Sequence, residues 1–204
     1  SGLYRVTYTG KESTTPIASQ GEEPATAAHA LRRKLEKLHV GSHADAVQQA
    51  WPHLNGEDRF IRYAARVAIE HRPRDEWQQK ALDEKDTEAS LQALLALARS
   101  YQRKNKGRGE GIDSAPPKYD GQDSAGEFPE ARDEILTALA KHDWAKLSPE
   151  QRLTLLRVYE VTFCRTGPPN AERRKELIAK FAPLLPADSY EINSIFIIRK
   201  TSMN

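Results

Sequence analysis

The sequence predicts an all-α protein built as an α-solenoid of stacked, short antiparallel helix pairs. Three observations carry this expectation. The 204 residues include 26 Ala against 6 Val and 11 Gly, a balance that favours helix. From Pro24 onward, apolar residues recur at three- and four-residue intervals. The periodic stretches are short and joined by tight turns, so no single pair can bury its apolar face without stacking on the next.

The elements follow in order. Residues 1–23 read as an extended leader, or the end of a preceding domain, plus a linker. Tyr4, Val6 and Tyr8 alternate with Arg5, Thr7 and Thr9 as in a strand, and the polar run from Lys11 to Glu23 with Pro16 reads as the linker. A lone strand is not stable unpaired. Residues 24–204 form the helical domain. Ala28, Leu31, Leu35 and Leu38 make a first stripe, which Gly41 ends. Val47, Ala50 and Trp51 make a short second helix, closed by Pro52 and Asn55-Gly56. Phe60, Ile61, Ala64, Ala65, Ala68 and Ile69 make a third. Trp77, Ala81 and Leu82 make a fourth. A fifth carries Leu91, Leu94, Leu95 and Ala98, with Thr87 as its expected N-cap.

Residues 103–127 hold five Gly and two Pro and read as a flexible insertion. Helices resume at Pro129 with Ile135, Leu136 and Leu139. Ser148-Pro149-Glu150-Gln151 has the form of an N-cap, a Pro at the first position and a capping box. Leu153 to Phe163 follow, Gly167-Pro168-Pro169 ends that run, and Asn170 caps a helix with Leu177, Ile178 and Phe181. The apolar stretch Ile192 to Ile198 fits helix or strand equally.

Composition removes several classes. One cysteine excludes an internal disulfide framework, a Cys-rich zinc site and a Cys-x-x-Cys-His haem attachment within these residues. No run approaches 18 apolar residues, so no membrane span is expected. No secretory signal opens the sequence, and an exported protein would carry its signal outside these residues. The net charge of +2 lacks the basic excess of a chain that coats nucleic acid.

One stretch is more specific. Asp58-Arg59-Phe60-Ile61-Arg62-Tyr63-Ala64-Ala65-Arg66-Val67-Ala68-Ile69 resembles the second helix of a HEAT repeat. In that pattern an Asp precedes the helix, a Val/Ile-Arg pair opens it, and small residues let the partner helix approach. Longer strings extend the likeness: Leu3 to Glu12; Trp51-Pro52-His53-Leu54 running into the Asp58 stretch; Asp143-Trp144; Leu147 to Leu153; and Leu155 to Glu160. Together they resemble the HEAT-like middle region of large planctomycete-type multidomain proteins, over most of residues 3–186. Such proteins place a sugar-dehydrogenase-like β-propeller before this region and often a cytochrome c domain after it. The resemblance implies that the first strand closes a propeller, and that Arg62 bonds to the Asp of a neighbouring repeat, Asp58 or Asp86. It also implies a periplasmic or extracytoplasmic setting. Neither the propeller nor a haem motif lies in these residues, so no cofactor is carried over.

Candidate chemistry is sparse. His39 and His43 stand four apart with Asp45 near, a metal-like spacing, but Gly41 interrupts the helix and two solvated turn histidines are the plainer reading. Asp113, Asp120, Asp123 and Glu127 offer oxygen ligands without the alternation of a calcium loop, and a solvated loop is favoured. Cys164 lacks a recognisable base and reads as a buried or half-buried structural thiol. Arg99, Arg103, Lys104, Lys106 and Arg108 beside Tyr101 could meet phosphate, or simply form a solvated helix end. Arg32-Arg33-Lys34 and Arg173-Arg174-Lys175 read as solvent faces. Trp51, Trp77 and Trp144 read as packing residues in preference to a ligand groove. No catalytic, cofactor or metal residue is therefore assigned.

The expectation is a non-catalytic helical-repeat module, a spacer and protein-docking scaffold within a larger extracytoplasmic redox protein. Its partners would be neighbouring domains of the same polypeptide or another protein. Two alternatives stand beside it: a DNA-binding enzyme resembling HEAT-like alkylpurine glycosylases, and a free-standing protein-binding adaptor.

Overall fold

A computed structural model describes residues 7–13, 26–101 and 128–193. Among these residues the protein is all-helical, with no strand. The α-helices are α1 (Ala27–Lys37), α2 (Ala46–Ala50), α3 (Arg59–Glu70), α4 (Gln78–Asp83), α5 (Thr87–Ser100), α6 (Pro129–Ala140), α7 (Pro149–Thr166) and α8 (Ala171–Phe181). Single 3-10 turns occupy Trp51–His53, Arg74–Glu76, Trp144–Lys146 and Ala182–Leu184. The expected strand fails over residues 7–10, where the chain is irregular and Tyr8 is exposed; a strand needs a partner, and none stands among the described residues. The rest of that segment, the 103–127 insertion and most of the C-terminal tail lie outside the described residues. Tyr190 to Asn193 are helical, which fixes the start of the undecided tail.

At α1, α3, α5, α7 and α8 a side-chain oxygen satisfies an otherwise unpaired N–H group at the helix start. The Asp58 carboxylate accepts from the amides of Phe60 (2.7 Å) and Ile61 (3.4 Å), and Asn170 accepts from Arg173 N (2.8 Å). At α7 the capping box is complete: Gln151 N donates to Ser148 Oγ (3.2 Å) and Ser148 N donates to Gln151 Oε1 (3.1 Å). The cap of α5 is Asp86, which accepts from Ala89 N at 2.8 Å, and Thr87 is the first helical residue. Both are capping residue types, and the one whose oxygen reaches the third amide takes the place. Gly167 ends α7 at φ 97°, a backbone region that side chains rarely adopt. Asp58→Ala is expected to destabilise the fold by about 1 kcal/mol in urea unfolding.

Alternate helices pack in sequence: α1 on α3, α3 on α5, and α5 on α7. Each helix between them packs on the one that follows it, α2 on α3, α4 on α5 and α6 on α7, while α4 also meets α6. The centre is α5, buried at every position from Ala89 to Ala98. Its run of Leu and Ala presents apolar surface all round, as a helix enclosed by neighbours requires. The third helix turns Ile61, Ala64, Ala65, Ala68 and Ile69 inward, but Phe60 lies outside this stripe and is 52% exposed. One residue of offset is about 100° of rotation around a helix, enough to turn a side chain from core to solvent.

Polar pairs run along the seam between α3 and α5. Arg62 Nε faces Glu88 Oε1 at 3.3 Å, Arg66 donates to Gln92 Oε1 (3.4 Å), and Arg99 Nε donates to Glu70 Oε2 (3.1 Å). Arg66 Nε also stands 3.2 Å from Glu70 Oε1 but off the hydrogen-bonding line, so that contact is ionic. Arg62 further donates to the carbonyls of Gly56 (2.7 Å) and Glu57 (2.8 Å). The expected Asp partner is thereby corrected. Asp58 and Asp86 are engaged as caps, and Glu88, one turn into α5, supplies the carboxylate.

Candidate functional site

The most distinctive surface lies where α1 meets α3. Phe60 and Tyr63 are one turn apart and remain 52% and 57% exposed. The guanidinium carbon of Arg59 sits 4.7 Å from the Phe60 ring centroid, and that of Arg32, reaching from α1, sits 5.8 Å from it. Arg66 lies 5.2 Å from the Tyr63 centroid. These distances fall in the range where a cation is drawn to a ring face. Arg32 also pairs with Glu36 at 2.7 Å, which fixes its reach along α1. Burial pulls the Arg66 guanidinium below its ordinary pKa; Glu70 opposes the shift and Arg99 adds to it. Arg66 therefore belongs to the seam, whereas Arg32 and Arg59 are exposed.

A second feature is a cleft of about 580 Å³ between the start of α5 and the end of α6. Ser90, buried on α5, lies 3.1 Å from His142 Nε2, just past α6. Lys85, Lys141 and Lys146 line the same cleft. Its carboxylates already have partners. Glu84 accepts from Trp51 Nε1 (2.7 Å) and from the amides of Lys85 (2.8 Å) and Asp86 (3.0 Å). Asp143 accepts from Ala145 N at 3.1 Å, and Asp83 accepts from Gln79 at 2.8 Å. Desolvation at Glu84 is outweighed by these hydrogen bonds and by Lys80, so its pKa lies below the usual carboxylate value.

Burial holds the His142 pKa below that of a free imidazole, and Lys180 and Lys141 push in the same direction. Below its unfolded pKa, the unfolded chain binds this proton more readily than the folded one. His142 should therefore add a loss of stability as pH falls from the ordinary histidine pKa toward its lower folded value. Urea midpoints across that window should fall less steeply in His142→Gln.

The other sequence-singled residues find structural places. His39 is half-buried, with Nε2 2.8 Å from the Ala64 carbonyl and its ring stacked on His71 at 5.9 Å, so it is no solvated turn residue. His43 Nε2 lies 3.0 Å from the Val40 carbonyl. The two imidazoles are thus engaged with different carbonyls. Among the described residues no three His, Cys, Asp or Glu side chains are grouped to hold a metal. Cys164 is exposed, which corrects the expectation of a buried thiol. It shares the outward strip of α7 with Arg157, while Thr162 and Thr166 face inward.

Trp51 and Trp77 are buried, and Trp77 Nε1 donates to the Arg72 carbonyl at 3.3 Å. Trp144 is half-buried, edge-on to Phe181 at 5.9 Å, with Arg152 5.3 Å from its ring. Arg173 and Arg174 are half-buried in place of fully solvated, and Arg173 reaches Thr137 Oγ1 at 3.2 Å. Tyr101 is buried under Arg74, whose guanidinium carbon is 4.0 Å from its ring centroid, and Arg99 is held by Glu70. Residues Arg103, Lys104, Lys106 and Arg108, and the acidic set Asp113, Asp120, Asp123 and Glu127, lie outside the described residues. No helix among the described residues is long and apolar enough to cross a membrane.

Two features here depart from what the sequence predicts. Phe60, expected in the core stripe, lies with Arg59 and Tyr63 in a set offset from it. The Ser90–His142 pair joins residues 52 positions apart, so no local spacing signals it. No family model matches this chain, and no curated protein or solved structure matches it either.

Proposed function

We propose that this chain is a non-catalytic helical-repeat docking module that holds an acidic segment of a protein partner against the α1–α3 face. The observation that carries the reading is the exposed pair Phe60 and Tyr63, flanked by the exposed Arg32 and Arg59. Aromatic residues and arginine dominate the energetic centres of protein interfaces. The arginines supply the charge complementarity that selects an acidic partner and steers its approach.

A solenoid arrangement is part of the proposal. The succession of α1, α3, α5 and α7, each packed on the next, supports it, with a shorter helix paired to each of the last three. So does the complete enclosure of α5, the place a middle repeat takes. The setting within a larger extracytoplasmic redox protein rests on the resemblance of the local strings to planctomycete-type multidomain proteins. In that setting the acidic segment belongs to a neighbouring domain, and the module spaces the domains it joins.

The test is fluorescence anisotropy with two labelled probes: an amphipathic peptide rich in Glu and Leu, and a short DNA duplex. The account expects saturable binding of the peptide and none of the duplex at low salt. Duplex binding that collapses as salt rises, with no peptide binding, would contradict it and favour the glycosylase-like reading.

A further inference from the structure

We propose that the α1–α3 face also receives a second copy of this chain, which docks through the acidic turn around Tyr190. The proposal rests on the docking reading above and adds an occupant whose chemistry the chain itself carries. Residues 185–193 contain two carboxylates, Asp188 and Glu191, and no lysine or arginine. Both carboxylates and Leu185 are exposed, and Tyr190, at 80%, is the most exposed large apolar side chain among the described residues. The turn is held in shape. Asn193 Nδ2 donates to the Ala187 carbonyl (2.6 Å) and Ala187 N donates to Asn193 Oδ1 (2.8 Å), which closes the segment on itself. Ser189 Oγ accepts from Ile192 N (3.3 Å) and donates to Glu191 Oε2 (2.7 Å), a bond that holds the Glu191 pKa below the usual carboxylate value. Ile192 is buried and anchors the turn to the body. A preformed turn loses less conformational freedom on docking than a free peptide.

The receiving face has the opposite sign. Exposed Arg32, Arg33, Lys34 and Lys37 lie on α1, and Arg59 opens α3. The carboxylates there are largely engaged: Glu36 by Arg32, Glu70 by Arg66 and Arg99, and Asp58 as the α3 cap, with Glu57 the exposed one beside them. The cationic excess steers Asp188 and Glu191 inward, and Phe60 and Tyr63 offer rings for Tyr190 to pack on. The two surfaces lie at opposite ends of the succession α1, α3, α5, α7. Phe181 of α8 packs edge-on to Tyr159 of α7 at 5.4 Å, and the turn follows α8. Contact between them therefore runs between copies. The patches are unlike, so the contact is heterologous, and their small size makes it weak.

The experiment follows amide NMR shifts and translational diffusion of the intact chain at low salt. Reversible association is expected with a dissociation constant on the order of 0.1–1 mM. Two variants separate the surfaces: Phe60→Ala with Tyr63→Ala on the face, and Asp188→Lys with Glu191→Lys on the turn. Either variant alone is expected to associate roughly tenfold more weakly. Mixed together, they restore one intact contact. The isotope-labelled turn variant should then show saturable shifts at Arg32, Arg59 and Phe60 as the face variant is added, and the complexes should stop at dimers. A chain that stays monomeric to about 1 mM, or a mixture that associates no better than each variant alone, would overturn the proposal. The peptide rich in Glu and Leu is titrated into the same preparations. Peptide binding by a chain that does not self-associate overturns this proposal and leaves the docking reading standing; failure of both overturns both.

Discussion

Leu94→Ala is expected to destabilise the protein by about 3 kcal/mol. Leu94 is fully buried in α5, the helix that packs against α3, α4, α6 and α7. Truncation there removes contacts to several elements at once, and the neighbours cannot close the gap without moving against one another. Urea unfolding should show the midpoint shift with little change in slope, and the melting temperature should fall by roughly 6–12 °C. A loss below about 1 kcal/mol would mean that the site collapses freely, and that α5 is not the enclosed centre of the stack.

The second large effect concerns binding and should leave the fold intact. Replacing Phe60 and Tyr63 together by alanine is expected to cost at least about 2 kcal/mol in affinity for the acidic amphipathic peptide, roughly a 30-fold loss. Both rings are more than half exposed, so stability should change by no more than about 0.5 kcal/mol. Arg59→Glu should be worse for association than Arg59→Ala, because it places like charge against an acidic partner. Anisotropy and thermal unfolding on the same preparations separate the two quantities. Equal losses of affinity and stability would assign Phe60 and Tyr63 a structural role.

Much of the fold was legible because its signals are local. The capping box at Ser148 and Gln151, the cap at Asn170, the stop at Gly167 and the Ile61-Ala64-Ala65-Ala68 stripe each depend on residues within two turns of one another. The misreadings have a common physical origin in rotation and reach. Phe60 and Cys164 each lie on a helix most of whose apolar residues face inward, and the period decides their side only once the exact stripe is known. The resemblance implies an aspartate partner for Arg62. Both aspartates are consumed by capping, and the seam with α5 brings Glu88 instead. The arginine–aromatic face needs α1 and α3 side by side before Arg32 can meet Phe60, and the cleft needs α5 against the end of α6. Such juxtapositions are products of packing and leave no trace in spacing.

Docking on the α1–α3 face can be checked by mapping amide and aromatic NMR shifts as the acidic peptide is added. Saturable shifts are expected at Arg32, Arg59, Phe60 and Tyr63, abolished by the double alanine variant and absent with a peptide in which Lys replaces Glu. Shifts centred elsewhere, or equal response to the acidic and basic peptides, would contradict it.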